Sequence, residues 1–299
     1  MSTACFVKTA NTAASRCNNE LGFIRRVILT PINAKFTGIL GEAEQTFENW
    51  VDAGIHAALP ENRFYPMPLT TNVEDGSTDP QEWSNPIGDS EVVSPGFFAF
   101  TQSYRRDTCL SNRLKAFNQQ EFRAIKLDAT RAEMIEEANG DLKGELCTVY
   151  SISPKFSTPS ELQEPRIIYK FKNPNEHDYR KVFIHDFDPI TLEGLEEITM
   201  TMVIDATNLE IKFYEKCSGV DVTADLAALS ESETAWLMDT EGVISTLTKG
   251  PKYNSTTNKF TILLATITGG ALKLADPSIL YKAGVRRIEQ PEWTDKPSE

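Results

Sequence analysis

PENRFYPMPLTTNVEDGSTDPQEWSNP (Pro60–Pro86), GFFAFTQSYRRDTC (Gly96–Cys109) and LSNRLKAFNQQEFRAIKLD (Leu110–Asp128) form the stretch on which the reading of this chain turns. Residues 60–95 hold six prolines and little periodicity, so they read as a long extended loop, a feature uncommon in a compact domain unless it is functional or held by a partner. Phe97 to Tyr104 then alternates as a strand. Leu110, Leu114 and Phe117 share one helical face, and Phe122 to Leu127 alternates again, with Ile125 and Leu127 on one side and Arg123 and Lys126 split between faces. The stretch carries almost none of the residue types that do covalent or acid–base chemistry.

Outward from it, Phe23 to Leu29 reads as a first strand stopped by Pro31, and Gly41 to Ile55 as an amphipathic helix with Ala43, Phe47, Trp50, Val51 and Ile55 at helical spacing. Thr130 to Asn139 reads as a helix or polar extension closed by a turn at Asn139-Gly140, and Leu146 to Ile152 as a strand. A proline-bearing loop follows at 153–165. Arg166 to Phe171 and Lys181 to Asp186 are two strands placed to pair as a hairpin across a turn at Asn173 to Asp178. In the last third, Ile198, Met200, Met202 and Ile204 alternate with threonines, and Leu209, Ile211 and Phe213 alternate with Glu210, Lys212 and Tyr214, which is the clearest hairpin of the chain. Ser230-Glu-Ser-Glu233 fits a capping box that would start a helix carrying Trp236 and Leu237. Val243 to Thr248 and Phe260 to Ile267 read as a further hairpin. Asp276-Pro277 caps a short helix ended by Gly284, and Val285 to Ile288 reads as a last strand. The fold class is therefore mainly β (α+β): an N-terminal arm at 1–20, a β domain at 21–184 with the long loop 60–95, and a second β-rich domain with short helices at 185–299.

The 299 residues carry a formal net charge of −13. That balance argues against a general nucleic-acid binder and against an anionic membrane surface as partner, and no apolar run is long enough to span a bilayer. Five cysteines, odd in number and with no CxxC, predict reduced thiols rather than a disulfide framework or a zinc cluster. Cys109 beside Arg105 and Arg106 reads as a buried structural thiol rather than a nucleophile. Of three histidines, His185 with Asp186 and Asp188 is the nearest approach to a metal cluster, and it is weak because neighbours in a strand face opposite ways. GxSxG, HExxH and GxxxxGK[ST] motifs are absent from the sequence. The expectation is no catalytic residues, no cofactor and no metal, hence not an enzyme; a hydrolase built around His185 is the outlying possibility.

Two blocks carry a family resemblance. One runs from RFYPMP through EDGSTDPQEW to the FxFTQSY strand, the LxxRLKAFN helix and the FRAIKLD strand. The other is GLEEITMTMVI (194–204), LEIKFYEKCSGVDVTADLAAL (209–229) and LADPSILYKAGVRRIE (274–289). Over about two hundred residues this order of elements resembles the tail tube (major tail) proteins of tailed bacteriophages. The resemblance implies tail-tube-like packed antiparallel sheets with a flanking helix, plus a C-terminal β-sandwich-like domain. It implies a virion structural protein, assembled in the host cytoplasm, whose copies form rings, commonly hexameric, that stack into a tube for passage of viral DNA without specific binding. Partners would be further copies and other virion proteins, with no membrane. Residues 60–95 would reach a neighbouring subunit through Arg63, Tyr65, Pro66, Pro68, Asp79 and Trp83, so deleting part of 66–90 should spare folding and abolish assembly. The alternatives are a head or connector structural protein, or a β-rich protein- or glycan-binding module using Trp83, Tyr104, Trp236 or Trp293.

Overall fold

The computed structural model describes residues 21–37, 46–84, 87, 90–94, 96–105, 108–153, 164–185 and 188–297. The arm expected at 1–20, the start of the helix expected at 41–55 and most of the loop expected at 153–165 lie outside the described residues. The protein is mainly β, with several antiparallel sheets. It divides into two compact units, Met1–Ile55 with Glu61–Glu193, and His56–Pro60 with Gly194–Glu299.

In the first unit the order is β1 (Arg26–Thr30), α1 (Phe47–Ile55), β2 (Tyr65–Pro66), β3 (Thr70–Asp75), β4 (Gln81–Ser84), β5 (Ser90–Ser94), β6 (Ala99–Tyr104), α2 (Thr108–Leu114), β7 (Gln120–Leu127), β8 (Arg131–Glu136), β9 (Leu142–Lys143), β10 (Glu145–Ile152), β11 (Arg166–Phe171), α3 (Pro174–His177) and β12 (Arg180–Ile184). Strands β3, β6, β11, β10, β7, β1 and β2 pair in succession, all antiparallel. The chain runs from β2 straight into β3, and the Met67 and Thr70 amides donate to the Val27 and Arg25 carbonyls. The sheet thus closes into a barrel, which removes the open edges those strands would otherwise present. Alternation along each strand points Val27, Leu29, Met67, Phe100, Tyr104, Phe122, Ala124, Cys147, Val149, Ile167, Tyr169 and Phe171 into one shared core. On the other side of the wall, Phe36, Phe47, Trp50, Phe64 and Phe183 pack edge to face or tilted, with centroids 4.7–6.0 Å apart. Strand β7 is buried on both faces from Phe122 onward, so Arg123 and Lys126 are enclosed rather than solvated.

Several expectations change here. Residues 60–95 are not a loop: they contain β2 and β3 of the barrel wall and a separate hairpin, β4–β5. Residues 131–136 form a strand rather than a helix, because β8 pairs with both β7 and β12 and this pairing overrides the helix preference of Ala, Glu and Met. Strand β12 consequently pairs with β8 and not with β11. The turn at Asn173 is a single helical turn, α3, capped by the Asn173 side chain accepting from the Asn175 amide.

The second unit holds β13 (Ile198–Asp205), β14 (Asn208–Glu215), β15 (Trp236–Thr240), β16 (Val243–Thr246), β17 (Lys252–Asn254), β18 (Lys259–Leu263), β19 (Ala271–Leu274), α4 (Pro277–Lys282) and β20 (Thr294–Asp295). One sheet is ordered β13-β14-β18-β17 and the other β16-β15-β19-β20. They share a core built from Met200, Leu209, Ile211, Phe213 and Phe260 of the first and Trp236, Leu272 and Leu274 of the second. The β13–β14 hairpin and the Asp276 cap of α4 are as the sequence predicts. The helix expected after Ser230 is absent: Glu231 adopts φ 62°, and Trp236 opens a strand that drops its ring onto Phe213 and Phe260. Residues 243–246 turn back onto β15, while β18 pairs with β14 and β17, so the hairpin expected between them does not form. The last expected strand is reduced to a bridge between Ile288 and Glu196.

Candidate assembly interface and barrel mouth

The β4–β5 hairpin leaves the barrel through a narrow neck. The Thr78 amide donates to the Phe97 carbonyl at 2.9 Å, and the Phe97 amide donates to Thr78 Oγ1 at 3.3 Å. A Cβ on Gly96 would lie 2.2 Å from the Thr78 carbonyl oxygen, so this approach requires glycine. Beyond the neck, Trp83 is 56% exposed, Val92 53% and Ile87 89%. Among the described residues no second layer buries these side chains, and a two-stranded hairpin alone in water is marginal.

The six residues expected at an interface separate into two groups. Arg63 is buried, Tyr65 and Pro66 form β2 and pair with Leu29 and Ile28, and Pro68 lies in the link from β2 to β3. The Tyr65 ring packs edge to face against Phe117 and Phe122 at 5.2 and 6.2 Å. Tyr65, Pro66 and Pro68 thus belong to the barrel wall and its link, and Arg63 is buried just before β2. Asp79 and Trp83 are exposed, at the base of the hairpin and on β4. Of the aromatics considered for a binding module, Tyr104 and Trp236 are fully buried, which removes them from any surface; Trp293 is half-buried, with the Lys273 ammonium 4.8 Å from its ring centroid.

At the same end of the barrel lies a recess of about 940 Å³, walled by Phe98, Phe100, Phe171, Val73 and His177. Lys126 forms part of it, its Nζ donating at 2.7 Å to Glu133 Oε1 and at 2.7 Å to Glu145 Oε2 and standing 4.5 Å from the centre of the Phe171 ring. Glu145 also meets His177 Nδ1 at 2.9 Å, and the His177 ring stacks on Phe98 at 4.0 Å. Burial works to lower the Lys126 pKa, but the Glu145 and Glu133 carboxylates outweigh it and the net shift is upward. Burial likewise works against ionised Glu145, yet the His177 contact and Lys126 hold its carboxyl below the usual range. Lys126, Glu133 and Glu145 thus form a buried ion cluster that ties β7, β8 and β10 together at this end of the barrel. Deeper in the barrel, Tyr169 donates to Tyr104 at 2.8 Å, Tyr104 donates to Gln102 Oε1 at 2.9 Å, and Gln102 Nε2 donates to Thr70 Oγ1 at 2.6 Å. Burial raises the pKa of both tyrosines and of the Cys147 thiol, which leaves all three un-ionised. No linear signal pointed to the triad; Glu145 stands nineteen residues from Lys126 in sequence.

The expectation of reduced thiols fails at Cys109 and Cys217, which are disulfide-bonded; Cys147 is free and buried. Bonds of this kind persist on secreted proteins and on virion surfaces rather than in a reducing cytosol. Of the His185 cluster, Asp186 lies outside the described residues, and among the described residues no group of three or more His, Cys, Asp or Glu is placed to hold a metal ion. No helix among them is long and apolar enough to cross a membrane. Comparison with protein-family models, with characterised proteins and with solved structures returns no match.

Proposed function

We propose that this chain is a virion structural subunit of a tailed phage, and that its copies assemble into stacked rings forming a tail tube through which viral DNA passes. The observation that carries the reading is the β4–β5 hairpin, which projects from a closed barrel with Trp83, Ile87 and Val92 uncovered. Side chains of that size in a two-stranded ribbon lose a hydrophobic contribution of about 1.5–3 kcal/mol each while they stay in water, and a neighbouring subunit supplies the missing cover. On this reading the barrel with α1 would be the tail-tube-like domain, and the second unit an added domain. The test is to replace Pro80–Pro95 by a short turn joining Asp79 to Gly96. That variant should keep the far-ultraviolet spectrum and thermal transition of the parent, and sediment as a monomer where the parent sediments as larger species. Unchanged assembly would sink the proposal. A deletion through 66–75 is unsuitable, because it removes barrel strands and unfolds the unit.

A second reading, a β-rich binding module for a protein or glycan, draws on the aromatic-walled recess at the barrel mouth, since barrel mouths are frequent ligand sites. Reproducible ligand capture by a monomeric protein, lost on Phe98→Ala, would favour it over assembly.

A further inference from the structure

The two ends of the barrel carry opposite charge. Between Arg63 and Arg105 the sequence holds Glu74, Asp75, Asp79, Glu82, Asp89 and Glu91 and neither lysine nor arginine. The fold gathers the described members of this set at one end. Asp75 closes β3, Asp79 sits at the hairpin base, and Glu82 and Glu91 are exposed on β4 and β5. Hydrogen bonds from Ser77 hold the Asp75 carboxyl below its ordinary range. Asp178 joins them at the recess, where the cations are Arg180, 3.9 Å from Glu133, and Lys126, already held by Glu133 and Glu145; exposed Lys170, its Nζ 5.3 Å from the Phe97 ring centre, is a further cation at the hairpin neck.

The opposite end is built by the strand ends that β6, β7, β10 and β11 turn away from the hairpin, and it is capped by α2 and the single turn Lys115–Phe117. Arg105 follows β6, Arg113 ends α2, Lys115 opens the turn after it, and Arg166 starts β11. Arg105 and Lys115 are exposed, Arg113 and Arg166 half-buried. Among the described residues here the carboxylates are Glu164, on the approach to β11, and Glu121 of β7, which pairs with Lys172. Leu110 and Phe117, both half-buried, add apolar surface between the cations.

We infer that the acidic hairpin end of one copy docks on the basic α2 end of a second copy, a head-to-tail contact between different surfaces. It rests on the assembly reading above and specifies its polarity. A contact that joins two different patches propagates, closing into a ring or extending as a filament according to its rotation, whereas a contact joining like patches stops at a dimer. Opposite potentials fix the register, and Trp83, Ile87 and Val92 supply the apolar centre on the hairpin side. An end-to-end contact between two hairpin ends is disfavoured by the same charges, since carboxylates would face carboxylates.

The test uses full-length protein in sedimentation velocity at two salt concentrations. Glu82→Lys/Glu91→Lys makes the hairpin basic, and Arg105→Glu/Lys115→Glu makes the α2 end acidic. Each variant alone should associate at least about tenfold more weakly than the parent, because like charges then face each other. Mixed one to one, the two variants should regain association, since every hairpin again finds an opposite partner. Association of the parent should weaken as salt rises. If each variant alone associates as tightly as the parent, or the mixture fails to recover, the polarity is wrong while self-assembly itself stands. A parent that remains monomeric at every concentration overturns both.

Discussion

Replacing Lys126 by methionine removes a charge and keeps nearly the same length of side chain. The side chains of Lys126, Glu133 and Glu145 are only 7, 9 and 3% exposed, so the two carboxylates would be left together in a largely buried wall, with His177 beside Glu145 and Arg180 3.9 Å from Glu133. Breaking a buried ion pair from one side costs about 3–5 kcal/mol, because an uncompensated charge remains, while replacing the whole cluster by neutral groups is often close to neutral. Lys126→Met should therefore raise the opening equilibrium of this barrel end by about two to three and a half powers of ten. The triple variant Lys126→Met/Glu133→Gln/Glu145→Gln should return to within about 1 kcal/mol of the parent. Native-state hydrogen exchange reads this locally, which matters in a protein of two units, where a single unfolding free energy is not defined. The amides of β7, β8 and β10 should lose protection in the single variant and regain it in the triple. Protection within tenfold of the parent in Lys126→Met, or equal loss in both variants, would refute the view that the triad is a mutually compensating lock.

Two further outcomes follow from the same geometry. Glu145 has a lowered pKa in the folded protein, so its contribution is present above the ordinary carboxylate range near 4.5 and is lost as pH falls; Lys126 has a raised one, so its contribution is complete below about 10.5 and is lost as pH rises further. Barrel protection should accordingly fall below about pH 4.5, and Glu145→Gln should flatten that acid limb in a urea titration followed across pH. Gly54→Ala brings a second test of packing: the new Cβ would stand 2.3 Å from the Phe64 ring, which is itself buried. The helix propensity gained, up to about 1 kcal/mol, is smaller than an overpacking cost of about 1–3 kcal/mol, so the urea midpoint should fall; a rise would show that the ring yields freely.

The legibility of the fold in the sequence varied with how its faces are solvated. The β13–β14 hairpin could be read because one face is buried and the other wet, so Ile198, Met200 and Met202 alternate with exposed Thr199, Thr201 and Val203. The Asp276-Pro277 start of α4 could be read because a cap is a local interaction. Strand β8 could not: buried at four successive positions, it has no period of two, and its Ala, Glu and Met residues favour a helix until β7 and β12 pair with it. The strands within 60–95 were hidden for the opposite reason, since β4 is exposed throughout and prolines interrupt the run. Trp236 read as helical because Ser230 and Glu233 mimic a capping box, yet the buried ring is held by partners from β14 and β18. Of the six residues expected at an interface, Asp79 and Trp83 are exposed in the fold. That Tyr65, Pro66 and Pro68 belong to the wall is a matter of barrel closure, which no local pattern records. The run of six carboxylates between Arg63 and Arg105 was open to view in the sequence, but only the fold sets its described members at the end away from Arg113 and Lys115.

Self-assembly is the central claim, and negative-stain electron microscopy of the concentrated full-length protein addresses it most directly. The account predicts rings or stacked tubes of uniform diameter, lost in the variant without the β4–β5 hairpin. A field of single, unassociated particles at every concentration examined would contradict it.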